Sequence, residues 1–299
     1  MTHIHVERSR RLVLDMEVQN GELRIESVML RWLCFFAIAI WGASSVLLAR
    51  QGVGADNIAS IQVPKPRIVP PSADYRLPSG TTLVFVAEWH LFNAGTTTIK
   101  LERDGAAEKL TATALSAGAV NLFFPVHDRF ETQFDPKTFC TTRVFKHIDE
   151  GKHGRETQIQ LDPARGKSIL DEKNLKTGET RHEENDAPTC TTDVMSGFFY
   201  LGSLPLTSGT VENFPVTDGG KTTIAMARVE GREEVRVAAG SFHTVRVSVE
   251  ATSGKYQGKG ELLIWFTDDP NHIPVKMRAR APWGTVVFKL QAVHTGGIR

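Results

Sequence analysis

Several residues of this 299-residue chain have types and spacings that could do chemistry. Asp268-Asp269 sets two carboxylates side by side, enough to ligate calcium or to share acid–base work. Neighbours in a strand point to opposite faces, and Asp-Asp-Pro-Asn is strong turn chemistry, so this pair is expected to shape a turn. His182, Glu183, Glu184 and Asp186, with His147 and His153 nearby in sequence, carry metal-ligand atoms. Neither His-Glu-x-x-His nor Cys-x-x-Cys occurs, and a solvated, loop-like charged stretch is the expected reading. Ser196 is a candidate nucleophile, but Val-Met-Ser-Gly-Phe is not the Gly-x-Ser-x-Gly elbow of a hydrolase. Its small side chain fits close helix packing instead. Glu88 and Asp268 could serve a glycan-acting enzyme only if their carboxyls stood about 5–10 Å apart in a cleft. No catalytic residue, metal or cofactor is expected from these patterns.

The aromatic residues offer a different opening. Trp89, Phe198, Phe199, Tyr200, Trp265 and Phe266 are either plain core or the wall of an apolar cavity, the usual lining of a small-molecule site. Net charge excludes one class of partner. The formal charge is +1, and the residues from 56 onward balance to zero. A nucleic-acid binder needs a basic excess to neutralise phosphates, so no nucleic acid is expected.

Compartment follows from the first part of the chain. Residues 32–49, WLCFFAIAIWGASSVLLA, are uncharged and follow Arg31, with small residues at Val53-Gly54-Ala55. A positive residue, an apolar run and small residues form a secretory signal, with Arg31 held on the cytoplasmic side. Residues 29–55 are thus expected to be a signal peptide or a retained anchor, since 18 uncharged residues can just span a bilayer. Residues 1–28 read as an extension upstream of a start at Met29. Cys34 lies in the apolar run, which leaves Cys140 and Cys190 for the exported part. Two cysteines in an oxidising compartment suggest one disulfide. Periplasmic or outer-membrane-associated localisation is expected, with membrane association through residues 32–49 if the anchor is kept.

The elements that must position these residues are mostly strands. Residues 56–80 are proline-rich and read as an extended linker. From Thr81 the period is two, in short β-branched and aromatic runs parted by turns such as Asp104-Gly105 and Asp218-Gly219-Gly220. LSAGAVNLFFPV, around residues 115–126, is a short helix or an apolar connection. TTDVMSGFFYLGSLPL has helical spacing at Val194, Phe198 and Leu201, with Thr192 or Asp193 as cap. Residues 81–295 are therefore expected to form one all-β domain. It should be a large antiparallel barrel or half-barrel of about a dozen strands, with one or two short helices packed inside.

Two stretches resemble a known family. Asp193-Val194-Met195-Ser196-Gly197-Phe198-Phe199-Tyr200 is similar to a D-x-x-S-small-aromatic-aromatic-Tyr helix. Trp265-Phe266-Thr267-Asp268-Asp269, continuing to Ile273-Pro274-Val275, is similar to a W-x-[ST]-D-D…[IL]-P-V strand-turn-strand. Both occur in this order in the bacterial domain of unknown function 3108. His127-Asp128-Arg129 resembles a third strand of that family, with His127 where Arg is commoner. The resemblance implies a periplasmic or outer-membrane-associated β protein, and carries no catalytic role with it.

These readings leave three functions to weigh. The first is a non-enzymatic binding module for a lipid or another hydrophobic envelope molecule. The alternatives are a structural or assembly factor acting through its surface, and a glycan-acting enzyme.

Overall fold

The computed structural model describes residues 66–90, 92–253, 257–258, 260–281 and 284–296. The expected extension, residues 1–28, and the signal or anchor, residues 29–55, lie outside them. One sheet of fifteen strands organises the rest. Its first half comprises β1 (Thr81–Trp89), β2 (Phe92–Asp104), β3 (Ala107–Ser116), β4 (His127–Phe134), β5 (Thr141–Glu150), β6 (His153–Asp162), β7 (Lys167–Asn174) and β8 (Thr180–Asp186). The second half comprises β9 (Thr192–Asp193), β10 (Val211–Thr217), β11 (Thr222–Val237), β12 (Gly240–Ala251), β13 (Glu261–Thr267), β14 (Pro274–Ala281) and β15 (Gly284–Thr295). Helix α1 (Gly118–Phe123) joins β3 to β4, and α2 (Val194–Ser203) follows β9.

The spatial order is β8-β7-β6-β5-β4-β3-β2-β1-β15-β14-β13-β12-β11-β10-β9. Each half is a meander, and the halves join where β1 pairs antiparallel with β15. Only the β9–β10 pair is parallel. The alternation of the sequence decides which face curls inward: β3 buries Glu108, Leu110, Ala112 and Ala114 and turns the residues between them outward.

The sheet does not close through a backbone ladder between its edge strands, β8 and β9. It curls until β5 meets the segment before α2. There the Thr141 N–H donates to the Thr191 carbonyl at 2.9 Å. Next to it Cys140 and Cys190 form a disulfide, with Cα atoms 4.9 Å apart. The turn after β10 seals the seam further: its Gly219 carbonyl accepts from Ser168 Oγ at 2.9 Å. Gly219 sits at φ +98°, and a Cβ there would come within 2.6 Å of the Ile159 side chain. Only glycine fits that approach. Ile159, Leu170 and Val144 form the small buried cluster beneath it.

Helix α2 lies inside the curl, with Phe199, Tyr200 and Leu201 in the main core. Asp193 caps it: its carboxylate accepts from the N–H groups of Met195 and Ser196, and the Ser196 hydroxyl accepts the Asp193 N–H. This is a reciprocal capping box. The helix ends before Pro205, whose ring disfavours helical geometry at Leu204. Of the one or two short helices expected inside, α2 is packed there and α1 is not. None of its residues is buried, because its apolar side chains lie on a loop beyond the sheet end.

The proline-rich segment also departs from its expected role as a linker. Ile68, Val69, Tyr75 and Leu77 pack against the core. The Val69 N–H donates to Tyr200 Oη at 3.2 Å, and the Ser72 N–H to the Ser203 carbonyl at 2.8 Å. Prolines removed strand propensity from this stretch without removing its apolar side chains. It therefore plugs one end of the curl as extended chain.

That plug makes the two ends of the barrel unlike. At the plugged end Phe134 stacks on Phe139, Phe139 meets Tyr200 edge-on, and Tyr75 lies 6.3 Å from Phe139 between ring centroids. Each such pair adds about 0.5–1.5 kcal/mol beyond its buried area. The other end, marked by the β1–β2 hairpin, α1 and the β10–β11 turn, is open.

Candidate functional site

On three strands, β2, β3 and β11, the inward residues shrink toward the open end. Along β3 the series runs Leu110, Ala112, Ala114; along β2 it runs Leu101, Ile99, Thr97. On β11 it runs Val229, Ala227, Ala225, Thr223. Near the plug the side chains are large enough to meet α2. Toward the open end they are too small to reach it. The space left over is a cavity of about 260 Å³ between the helix and the concave sheet.

Its wall is almost wholly apolar. Met195, Phe198 and Leu201 line it from α2, and Phe130, Ile148 and Phe288 from the sheet. Lys146 is a cation among its walls. It is buried, and its Nζ donates to the Asp218 carbonyl at 3.2 Å. Glu250, Glu261 and Arg280 stand where the walls reach the open end.

Beside the cavity lies a second buried polar feature. Asp128 precedes Phe130 by two residues on β4, and Glu150 follows Ile148 by two on β5, so both share the concave face. Both are buried, and the Asp149 N–H donates to Asp128 Oδ1 at 3.0 Å. Burial pushes both carboxyls above the usual carboxylate range; for Glu150 the Asp128 charge raises it further. Two buried acids acting on each other in this way resist being ionised together.

The structure separates the residues singled out by sequence. Phe198 lines the cavity. Phe199, Tyr200 and Phe266 are buried in the core adjoining it. Trp265 points the other way, onto the convex face with Val235, Leu263 and Val275. Its Nε1 donates to Glu233 at 2.8 Å and Lys276 lies over its ring. Trp89 packs edge-on against His90 at the β1–β2 hairpin, away from the cavity. Three of these residues therefore fill core beside the cavity, and the two tryptophans lie apart from it. Strand parity is the reason for Trp265, because its neighbours Ile264 and Phe266 take the inward positions.

The candidate reactive groups are occupied structurally. Ser196 is buried within the cap, its hydroxyl 2.8 Å from Thr141 Oγ1. Asp268 pairs with Arg232 at 2.8 Å, and the Asp269 carboxylate accepts the Asn271 N–H at 2.8 Å. The acid pair thus shapes the β13–β14 turn, after which Pro274 opens β14 opposite Phe266. Glu88 pairs with Lys289. Two intervening strands and about five residues of strand separate it from Asp268, well beyond the roughly 5–10 Å of a glycosidase pair. His182, Glu183, Glu184 and Asp186 lie on strand β8, not in a loop. They pair with Asp171, Arg181, Arg165 and Lys167 respectively. Among the described residues no group of three metal-binding side chains occurs.

Sequence reasoning missed the residues that make the hollow. The signal was present as alanine and threonine at alternate positions of β3 and β11, where core strands usually carry larger side chains. Lys146 was equally legible as a charge at an inward position between Val144 and Ile148.

Comparison with known proteins fits this architecture. The family described as "Protein of unknown function (DUF3108)" matches residues 84–291. No curated protein matches the chain. Among solved structures, a β-barrel-like protein of domain of unknown function DUF1849 from Brucella abortus is 9% identical, with a TM-score of 0.54. The match covers 78% of this chain and 100% of that one. A candidate exported protein with a YmcC-like fold from Bacteroides fragilis is 8% identical over 74% of this chain and 98% of its own, with a TM-score of 0.34. The first likeness shows a shared β-barrel-like fold and nothing about activity.

Proposed function

This chain belongs to the DUF3108 family, and we propose that it is an exported binding protein holding a lipid or other apolar envelope molecule in the cavity beside α2. The observation that carries this reading is the graded hollow: residues along several strands shrink together and leave about 260 Å³ of apolar space. A mostly apolar hollow of this size gains when an apolar guest removes its wall from water. Export is supported by the disulfide, which persists in oxidising compartments.

The guest's apolar part would lie along Phe198 and Phe288, and Lys146, engaged with the Asp218 carbonyl, adds a polar group to the wall. The role is that of a carrier or receptor rather than a catalyst. Titration with an apolar fluorophore that brightens out of water tests it. Saturable one-site enhancement, lost in Ala114→Trp with its filled hollow, is the expected result. Equal enhancement in both proteins would overturn the assignment to this cavity.

A further inference from the structure

The sheet ends on β8 at one edge and on β9 at the other. β9 is only two buried residues, whereas β8 runs seven residues without proline or bulge. Among the described strands its partner is β7 alone. At the two ends of their ladder the Asn174 N–H donates to the Glu179 carbonyl at 2.8 Å and the Ala187 N–H to the Gly166 carbonyl at 2.9 Å. Antiparallel pairs alternate between bonded and non-bonded positions, so Arg181, Glu183 and Asn185 bond to β7. The N–H and carbonyl groups of Thr180, His182, Glu184 and Asp186 therefore face the free side. Thr180, Arg181 and His182 are exposed, so neither face of this part of β8 lies under another described element. Such an open row of backbone donors and acceptors is a template for another strand.

Charged side chains usually guard an edge of this kind. Here their order complements one occupant, β8 of a second copy of the chain. Two identical antiparallel strands are related by a two-fold axis normal to the sheet, which allows only registers that pair residues of the same face. The register centred on His182 sets Arg181 opposite Glu183 of the second copy, and Glu183 opposite its Arg181, with Cβ atoms about 5 Å apart. Within one chain Arg181 already holds Glu183 at 3.1 Å, so the four side chains close into a ring of alternating charge. On the other face His182 meets its own copy, each imidazole held by Asp171 at 2.7 Å. The same register makes Thr180, His182 and Glu184 the positions that exchange backbone bonds, and these are positions that face the free side. Centred one residue further, the strands would set Glu183 against Glu183, and like charges directly opposite destabilise a pair.

We infer that β8 pairs edge to edge with β8 of a second copy, in the register centred on His182, and so joins two fifteen-stranded sheets into one. One strand pair is a small contact beside the roughly 1,200–2,000 Å² of a stable complex, so the dimer is reversible and depends on concentration. It is independent of what the cavity holds.

The test is sedimentation velocity of the purified protein over about a hundredfold range of concentration. Arg181→Glu and Glu183→Arg each bring like charges opposite one another, and each should weaken self-association at least about tenfold. An equimolar mixture of these two variants sets acid against base again and should recover the dimer, as should the double variant. Glu184→Pro removes an N–H that faces the free side, a change edge strands tolerate, and should abolish the dimer. Melting curves verify that each variant folds. Wild type that stays monomeric throughout would overturn the proposal. A dimer unchanged in both charge variants and in Glu184→Pro would overturn it too, by placing the contact elsewhere. A mixture that remains monomeric would overturn the register.

Discussion

Thr141 and Asp193 grip each other across the seam of the barrel: the Asp193 N–H donates to Thr141 Oγ1 at 3.0 Å, and that hydroxyl donates to Asp193 Oδ1 at 3.2 Å. Thr132 Oγ1 donates to the other carboxylate oxygen at 3.0 Å. One aspartate therefore caps α2 and ties it to β4 and β5. Loss of an N-cap costs about 0.5–2 kcal/mol, and each buried hydroxyl left unpaired adds about 1–3 kcal/mol. Asp193→Ala should destabilise the domain by about 3–5 kcal/mol. Calorimetry checks this, and a loss below about 1 kcal/mol would show that the seam holds without it.

The disulfide fastens the same seam. Cys140 and Cys190 enclose a loop with a sequence separation of 50. Loop entropy assigns such a link about 4 kcal/mol. The double variant Cys140→Ser, Cys190→Ser should melt well below wild type, and reductant should lower only the wild-type transition. A wild-type melting temperature indifferent to reductant would remove the disulfide from this account.

Asp128 and Glu150 make stability depend on pH. Both titrate above their unfolded values of about 4, so the folded state keeps protons that the unfolded chain releases. Their contribution is fully present below about pH 4 and is lost as pH rises through the folded values. The melting temperature should fall from about pH 4 to about pH 10, through folded values of about 6 for Asp128 and about 10 for Glu150, and Glu150→Gln should flatten that fall by removing the group that titrates highest. A Glu150→Gln profile parallel to wild type would assign the pH dependence elsewhere.

Space in the hollow can be probed without any ligand. Ala225 lines the cavity. Enlarging a residue in a tightly packed core costs about 1–3 kcal/mol. Ala225→Phe enters free volume instead and should match or exceed wild-type stability. Gly219→Ala, by contrast, meets Ile159 and should lose several degrees of melting temperature. A comparable loss in Ala225→Phe would mean that the hollow is already filled by protein.

Period-two alternation and turn residues made the all-β class and the antiparallel meander readable, because each strand's pairing partner is mostly its neighbour in sequence. Helix α2 was equally plain, since Asp193, Ser196 and the spacing of Val194, Phe198 and Leu201 are local signals. The plug was not. Residues 66–77 look like a linker because proline removes local propensity, and their burial depends on contacts with Tyr200 and Ser203 more than 100 positions away. The site was half legible for a related reason. Large aromatics stand out in a sequence but here mostly fill space, as Phe199 and Phe266 do. The cavity is made by what is small, Ala112, Ala114 and Ala225, and smallness at inward positions is visible only once strand parity and the curl are known.

Native mass spectrometry of the protein purified from its own envelope tests the binding claim most directly, recorded first intact and then after denaturation. The account predicts an intact mass above that of the mature chain and release of one apolar molecule per protein, absent from Ala114→Trp prepared alongside. A bare protein mass under native conditions, with no apolar species in the organic extract, would contradict it.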